Sequence, residues 1–121
     1  MTRIKPAASH QPLTGEGRAD RIADSIIGAY QHRPEAYNAY VEAEQVLRAT
    51  GTLKPRLVEL VRLRVAFHNQ CRTCMATRRA PELVSEQLVC SLERPYEAPD
   101  LLDEERAALR YADLFAADHL A

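Results

Sequence analysis

The sequence predicts an all-α fold with about six helices in a chain of 121 residues. Apolar residues recur at the spacing of amphipathic helices, prolines stand where helices would begin, and no stretch alternates apolar and polar residues as a half-buried strand does. The length suits one compact domain with a modest core. We therefore predict an N-terminal arm at residues 1–17, rich in Pro, Gly and polar residues, and a helical domain at residues 18–121.

The first two predicted helices carry signals at their ends. Apolar residues at helical spacing predict a first helix that begins near Arg18 and ends near His32, with Asp20 as its predicted cap. Pro34 suits the first turn of the second helix, where a missing amide hydrogen costs no hydrogen bond. Gly51 follows the last apolar residue, and we expect it to end this helix in a left-handed conformation.

The third predicted helix is the most apolar of the chain. Pro55 marks its start, and apolar residues between positions 57 and 67 cover most of its circumference. We therefore expect this helix at the centre of the core or at a subunit interface. Three arginines hold the remaining face: Arg56, Arg62 and Arg64.

Three further helices are predicted after it. The fourth spans residues 71–79, because Pro81 disfavours helical geometry at the residue before it, and the fifth spans residues 81–92 with Cys90 in the core. The sixth begins at Asp103, where acids in the first turn complement the helix dipole. Because it barely ends before the chain does, we expect cover from other subunits or a shortened C-terminus. Its predicted buried stripe comprises Ala108, Leu109, Tyr111, Ala112 and Phe115.

Composition and charge exclude several classes of partner. The formal net charge is -1 at pH 7, so no overall field attracts nucleic acid or an anionic membrane. No run approaches the roughly 20 apolar residues of a membrane span, and the N-terminus lacks the apolar stretch of a secretory signal. We therefore expect a cytoplasmic protein with neither nucleic acid nor membrane as partner. In that reducing compartment a Cys-x-x-C pair is more often catalytic or metal-binding than structural.

The chain has such a pair in Cys71 and Cys74. Two cysteines three positions apart at a helix start can close a disulfide after a small backbone adjustment. Helix N–H groups and the positive charges of Arg72, Arg78 and Arg79 favour the thiolate. The pair therefore suits thiol–disulfide exchange, in which one thiolate attacks and the other cysteine resolves the product. Position in the helix alone favours Cys71 as the attacking thiolate.

Two other interpretations of the pair stay open. The cysteines could form half of a zinc site completed by His68 and Cys90. No second Cys-x-x-C and no His-x-x-x-His accompanies them, so we predict no metal and no cofactor. The cysteines could also be small core residues without any chemistry, because free cysteine packs well in apolar surroundings.

Three further side chains are candidates for the same site. Glu59 lies among apolar residues, so burial should raise its pKa and let it pass a proton near neutral pH. A salt bridge to Arg62 or Arg56 is an equally simple alternative. His68, three residues before the first cysteine, is an accessory candidate as a base, although a histidine near a helix end is more often a surface or capping group. Arg78 is an accessory candidate as a fixed positive charge beside the thiolate.

A resemblance to a known superfamily rests on this central stretch. The residues that carry it are Glu59, Leu63, Arg64, Val65, Ala66, Asn69, Cys71 and Cys74. In this pattern the chain resembles the carboxymuconolactone decarboxylase and alkyl hydroperoxidase D superfamily. The likeness extends from Arg3–Pro6 through Gly51–Leu53 to Glu104–Ala112 and so covers most of the chain. Its specific part is the spacing of the acid to the two cysteines.

The resemblance implies an alkyl hydroperoxidase D-like all-α fold, in which the helix of the acid packs against the helix of the cysteines, and homo-oligomers such as trimers or hexamers. It implies a thiol-dependent peroxidase or disulfide reductase that uses a small-molecule hydroperoxide and a thiol or dithiol reductant protein. Cys74 would attack the peroxide and become a sulfenic acid, which Cys71 would resolve to a disulfide. Glu59 would belong to the proton relay.

The chain departs from the superfamily pattern at Arg78. The superfamily usually has a histidine there, four residues after the second cysteine, and an arginine cannot carry protons at neutral pH. An alternative function is therefore a non-catalytic oligomeric scaffold for redox sensing or binding, whose relay is lost. Ring-lactone decarboxylation is a third and less favoured function, because that chemistry needs an acid–base site and no dithiol.

Overall fold

A computed structural model describes residues 4–117, apart from the side chains at positions 18 and 19. All regular structure in this part of the chain is helical, which confirms the predicted all-α class. The first three residues of the predicted arm and residues 118–121 lie outside the described residues. The elements are α1 (Arg18–Tyr30), α2 (Pro34–Thr50), α3 (Pro55–His68), α4 (Arg72–Ala76), α5 (Glu86–Ser91), a 3-10 turn (Pro95–Glu97) and α6 (Asp103–Ala117).

The chain divides into two compact units, Met1–Thr52 and Leu53–Ala121. In the first unit, the segment before α1 is bonded to that helix, since the Ala7 N–H donates to the Gly28 carbonyl over 2.9 Å. A Cβ atom at Gly28 would lie 2.8 Å from Pro6, so the close approach requires a glycine there. The predicted division at residue 17 separates an arm from a helical domain by composition, and it stays a prediction.

Two predicted helix ends in the first unit are wrong in detail. Asp20 is the third residue of α1 and accepts the Gly17 N–H over 3.0 Å, so Gly17 is the cap. Gly51 follows α2 with an extended backbone, at φ -65° and ψ 138°, and not in the left-handed region. The Thr50 hydroxyl donates to the Val46 carbonyl over 2.8 Å, so that carbonyl is satisfied without a left-handed turn.

The second unit is built around α3, which packs against α6 and α4. Leu60 and Leu63 of α3 are fully buried against a core that includes Leu109 of α6. The predicted central position of α3 is thereby confirmed, as are its start at a proline and the start of α6 at Asp103. One face of α3 is less covered than predicted, and Val58 there is 44% exposed.

Cys90 was expected in the core, and the structure contradicts this, because its side chain is exposed. The helix α5 is shorter than predicted and begins after Ser85, whose hydroxyl accepts the Leu88 N–H over 3.2 Å. Leu88 and Val89 turn into the core. The next residue lies about 100° further around the helix and therefore points away from that core.

The buried stripe of α6 is also narrower than predicted. Glu105, Leu109 and Ala112, spaced by four and three residues, form the buried face. Tyr111 and Phe115 were predicted in this stripe but are 66% and 58% exposed. They lie on another face, where their rings stack with centroids 6.2 Å apart. The spacing of apolar residues therefore predicted the helix correctly, but it assigned residues of an exposed face to the buried one.

The turn between α3 and α4 fixes the position of the first cysteine. Gln70 adopts a left-handed conformation with φ 49°. Its N–H donates to the Phe67 carbonyl, and the Cys71 N–H donates to the Ala66 carbonyl, both over 3.0 Å. This pair of bonds is the Schellman pattern, which usually has a glycine at the left-handed residue.

Gln70→Gly is expected to raise the free energy of unfolding by about 0.5–1 kcal/mol. A left-handed conformation costs an L-residue roughly 1–2 kcal/mol, and the greater freedom of glycine in the unfolded chain offsets part of the gain. Urea unfolding measures the change. The matched control is Asn69→Gly, because Asn69 has φ -76°, and glycine there should lower stability. A lower midpoint for Gln70→Gly as well would contradict strain at this turn.

Candidate active site

The cysteine pair lies at the start of α4, directly after this turn. Cys71 is the cap residue, and its Sγ accepts the Cys74 N–H over 3.3 Å. The two residues form a disulfide with their Cα atoms 5.2 Å apart. Both side chains are partly exposed. The prediction of a Cys-x-x-C pair on a short helix is confirmed, although α4 ends at Ala76 and not at residue 79.

Glu59 is held by Arg62, one turn further along α3. The Arg62 Nε and Nη2 atoms each donate to one carboxylate oxygen over 2.8 Å. The Arg79 backbone N–H donates to Oε1 over 2.9 Å. Because Glu59 is 2% exposed, this ion pair is buried. The salt bridge to Arg62, one of the two alternatives that the sequence left open for Glu59, is the arrangement that the structure contains.

The pKa of Glu59 moves in the direction opposite to the one predicted. Burial by itself raises the pKa of this carboxyl, but the hydrogen bonds from Arg62 and from the Arg79 backbone, with the charges of both arginines, lower it below the usual value. The carboxylate is therefore ionised at neutral pH and binds a proton only in acid. This arrangement suits a structural charge better than a proton carrier.

Arg62 also connects α3 to the backbone of the cysteine helix. Its Nη1 donates to the Cys74 carbonyl over 2.8 Å, and its Nη2 donates to the Thr77 carbonyl over 2.6 Å. These carbonyls lie at the end of α4, where helical partners are missing. The predicted packing of the acid's helix against the cysteine helix is thus confirmed, and one guanidinium joins Glu59 to Cys74.

Arg78, at the position where the predicted resemblance would place a histidine, forms its own ion pair. Its Nε and Nη2 donate to the two carboxylate oxygens of Glu86 over 2.8 and 3.0 Å. The hydrogen bond from Arg78 lowers the pKa of the Glu86 carboxyl. The third nitrogen, Nη1, is buried and has no hydrogen-bond partner among residues 4–117. Arg78 is therefore a fixed charge, as its chemistry predicts.

His68 belongs to a charged network on the other side of α3. Its Nε2 lies 2.7 Å from Oδ1 of Asp113 on α6. The same oxygen accepts from the Nε of Arg64 over 2.5 Å, and the other oxygen accepts the Tyr96 hydroxyl over 2.6 Å. Arg64 also donates to the Leu92 carbonyl over 2.7 Å. Asp113 is thus the shared acceptor of three side chains.

Asp113 is the most strongly perturbed acid of this network. Burial raises its pKa, but hydrogen bonds from Arg64, Tyr96 and His68, together with the charge of Arg64, outweigh burial and lower the pKa to about 2. The same contact with Asp113 raises the pKa of the Tyr96 hydroxyl. Asp113 is therefore a carboxylate, and an acceptor only, over the whole physiological range.

A cavity of about 380 Å³ adjoins this network. Gln70 and Met75 belong to its wall and are the sequence neighbours of Cys71 and Cys74. Its volume falls in the range of small-molecule sites. The residues that line it are Arg64, Phe67, His68, Gln70, Met75 and Glu93.

Similarity to known proteins adds little to this geometry. The chain is 40% identical over 91 residues to uncharacterized protein Rv2313c of Mycobacterium tuberculosis strain ATCC 25618 / H37Rv, and equally to uncharacterized protein MT2376 of strain CDC 1551 / Oshkosh. Each match covers 70% of this chain and 31% of the relative, so the chain spans about a third of the length of these curated relatives. No protein-family model and no solved structure matches the chain. Membership of the carboxymuconolactone decarboxylase and alkyl hydroperoxidase D superfamily therefore stays a prediction.

The zinc site that the sequence left open gains no support. Between residues 4 and 117, no cluster of three or more His, Cys, Asp or Glu side chains could hold a metal ion. His68 pairs with Asp113, and Cys90 is exposed on α5.

In the part of the chain that the structure describes, every helix is too short or too polar to cross a membrane.

Sequence reasoning missed two members of the site, Asp113 and Tyr96. A usable signal for Asp113 was its place on α6 directly after the buried Ala112, at the edge of the apolar face. Arg64 and His68, four residues apart on α3, were a second signal, because cations at this spacing share a helix face. Tyr96 gave no signal, because it lies on an isolated 3-10 turn.

Proposed function

We propose that this chain is a thiol–disulfide oxidoreductase in which Cys71 and Cys74 pass two electrons to a bound substrate. The observation that carries the proposal is the disulfide between these residues at the start of α4, with both side chains partly exposed. A pair that closes within one helical turn can attack a substrate and then resolve the product without a second subunit.

The reaction with a disulfide substrate proceeds by two exchanges. The Cys71 thiolate attacks one substrate sulfur, the substrate S–S bond breaks, and the first thiol leaves with a proton. The Cys74 thiol then loses its proton and attacks the Cys71 sulfur, which releases the second substrate thiol and forms the Cys71–Cys74 disulfide. The hydrogen bond from the Cys74 N–H to the Cys71 sulfur supports Cys71 as the attacking thiolate. The resemblance implies the reverse order, with attack by Cys74.

Hydroperoxides are the second class of acceptor in this proposal. The thiolate would attack the terminal oxygen and become a sulfenic acid, while the O–O bond breaks and the alkoxide leaves as an alcohol after taking a proton. The other cysteine would then attack the sulfenic sulfur, form the disulfide and release water. That proton has no ready source in the predicted relay, since Glu59 is an ionised partner of Arg62 and Arg78 is paired with Glu86. An alkoxide is much more basic than a thiolate and depends more on such a proton, so we expect disulfides to be reduced faster than hydroperoxides.

The remaining parts of the proposal come from the resemblance. A thiol or dithiol reductant protein would return the disulfide to the dithiol, because the cycle consumes two electrons per turnover. The resemblance also implies homotrimers or hexamers, whereas the cytoplasmic location is the prediction made from the sequence, which lacks the apolar stretch of a secretory signal. Because both cysteines of the pair belong to one chain, the reaction could take place in any of these assemblies.

The proposal is tested by mixing the prereduced protein with hydroxyethyl disulfide in stopped flow, followed by mass spectrometry of the products. The wild type should react roughly tenfold or more faster than free cysteine, as a lowered thiol pKa predicts, and should end as the Cys71–Cys74 disulfide. Cys74→Ser should stop at a mixed disulfide on Cys71, and Cys71→Ser should react slowly. Rates for the wild type no greater than those of free cysteine would refute the proposal.

The matched control is Cys90→Ser, which removes an exposed thiol outside the pair and should leave both rate and product unchanged. Cumene hydroperoxide provides the comparison between acceptors. A faster reaction with it, and a sulfenic acid trapped at Cys74 in Cys71→Ser, would support the peroxidase that the resemblance implies.

A non-catalytic redox-sensing scaffold is the second candidate function. The observation in its favour is that the side chains at both predicted relay positions, Glu59 and Arg78, are held in ion pairs. A scaffold would form its disulfide slowly with either acceptor, so the same experiment separates it from the enzyme.

A further inference from the structure

The His68–Asp113 pair and the adjoining cavity have no part in the chemistry described so far. His68 lies at the end of α3, next to the turn that leads into Cys71. It both lines the 380 Å³ cavity and bonds to Asp113. The apolar part of the wall includes Phe67 and Met75. A group bound in this cavity would therefore meet these two apolar side chains, the imidazole of His68, and the polar groups of the remaining lining residues, Arg64, Gln70 and Glu93.

The bond to Asp113 fixes which His68 nitrogen can act. Asp113 is an ionised carboxylate that also accepts from Arg64 and Tyr96, so it can only accept from His68. The proton shared with it therefore resides on Nε2. The other nitrogen, Nδ1, has no hydrogen-bond partner among residues 4–117. In the protonated ring Nδ1 is a donor and in the neutral ring it is an acceptor.

We propose that the His68–Asp113 pair is the proton donor of this site and that the cavity receives the leaving half of the substrate. The inference rests on the proposed oxidoreductase function. His68 would supply the proton that Arg78, a fixed charge paired with Glu86, cannot supply. The substrate class is a disulfide with an uncharged organic leaving group, because two apolar side chains line the cavity and the charges of its one arginine and one carboxylate, Arg64 and Glu93, offset each other.

In this step the leaving sulfur of the substrate receives an electron pair and a proton. As the cysteine thiolate attacks, the substrate S–S bond breaks and its electron pair goes to the leaving sulfur, which takes the Nδ1 proton of the imidazolium. Asp113 keeps the Nε2 proton in place and compensates the positive charge before transfer. The second substrate thiol takes the proton released by the resolving cysteine. His68 is exposed and regains its proton from water.

The charges around His68 come from several elements. Arg64 lies one turn before it on α3, Asp113 and Arg110 belong to α6, and Tyr96 belongs to the 3-10 turn. Glu93 lines the cavity wall beside them. Arg64 and Tyr96 both donate to Asp113, which leaves the donation of a proton to the substrate to His68.

The test compares two disulfides with different leaving groups in the prereduced protein. The thiol of hydroxyethyl disulfide is a poor leaving group that needs a proton, whereas dithiodipyridine releases a stabilised thione that needs no acid from the protein. His68→Gln should slow the reaction with hydroxyethyl disulfide roughly 100-fold, the size of a general acid's contribution, and should leave the dithiodipyridine rate unchanged. Asp113→Asn should alter the pH profile for the first substrate only.

The matched control is His32→Gln, since His32 is a histidine of the first unit whose Nε2 contacts the Lys5 carbonyl, and its rates should equal those of the wild type. Circular dichroism checks that the His68 variant is folded, because dithiodipyridine also reacts with the thiols of an unfolded chain. Equal rates for His68→Gln and the wild type, or an equal loss with both substrates, would overturn the inference and leave the oxidoreductase standing. A wild type that reduces neither disulfide would overturn both.

Discussion

Replacing Arg62 with methionine is expected to lower the free energy of unfolding by about 3–5 kcal/mol, the usual cost of leaving one member of a buried ion pair without its partner. The substitution removes both hydrogen bonds to the Glu59 carboxylate, which is 2% exposed and cannot turn to water. It also removes the hydrogen bonds that Arg62 donates to the carbonyls of Cys74 and Thr77 at the end of α4. Guanidinium unfolding followed by circular dichroism measures the loss.

The control for this prediction is Arg48→Met. Arg48 also pairs with a glutamate one turn away, Glu44, over 2.8 Å, but its side chain is 49% exposed, so the change should stay within about 0.5 kcal/mol. A double variant, Arg62→Met with Glu59→Gln, should be more stable than Arg62→Met alone, because no buried charge then lacks a partner. Equal losses at positions 62 and 48 would contradict the buried ion pair.

The features that the sequence predicted correctly are those with a local cause. Pro34 and Pro55 stand in the first turns of α2 and α3 because a proline fits the start of a helix without losing a hydrogen bond. The acids after Asp103 act within one turn of α6 in the same way. The cysteine pair is also local, since its two members are three residues apart. Composition and short spacing were sufficient for each of these.

The features that it missed depend on contacts between distant segments. Arg56 and Arg64 were assigned to a polar face of α3, yet they bond to Glu105 and Asp113, each 49 residues away. No spacing rule connects residues so far apart. Glu59 shows the same limit at short range, because its pKa depends on whether burial or the bonds to Arg62 prevail, and only the assembled geometry decides this.

The structure also shows why three arginines can occupy so apolar a helix. Each guanidinium of α3 reaches over the core edge to an acid and to a free backbone carbonyl: Arg56 to Glu105 and Leu83, Arg62 to Glu59 and Cys74, Arg64 to Asp113 and Leu92. Charged hydrogen bonds of this kind satisfy helix and loop ends that the small core cannot cover. The positions of α4, of the loop before α5 and of α6 thus depend on charge as well as on apolar packing.

Asp113→Asn is expected to lower the free energy of unfolding at neutral pH by about 2 kcal/mol and to flatten its fall in acid. The pKa of Asp113 is about 2 in the folded chain, against an ordinary 3.8. A carboxyl with a lowered folded pKa stabilises the fold above its ordinary pKa and loses this contribution as the pH falls from about 4 to about 2, because the unfolded chain then takes up the proton first. The difference between the two pKa values corresponds to about 2 kcal/mol.

Urea unfolding at several pH values between about 2 and 7 measures both effects. The curves of wild type and Asp113→Asn should be furthest apart at neutral pH and converge towards pH 2, since asparagine has no proton to gain. The lowered pKa values of Glu59 and Glu105 contribute acid sensitivity to both proteins equally. Glu86→Gln is the matched control, because Glu86 also pairs with an arginine but is 72% exposed, so water screens the pair and its curve should follow that of the wild type. A constant gap between wild type and Asp113→Asn at every pH would show that the loss comes from packing, and that the Arg64, Tyr96 and His68 contacts do not hold Asp113 as a carboxylate.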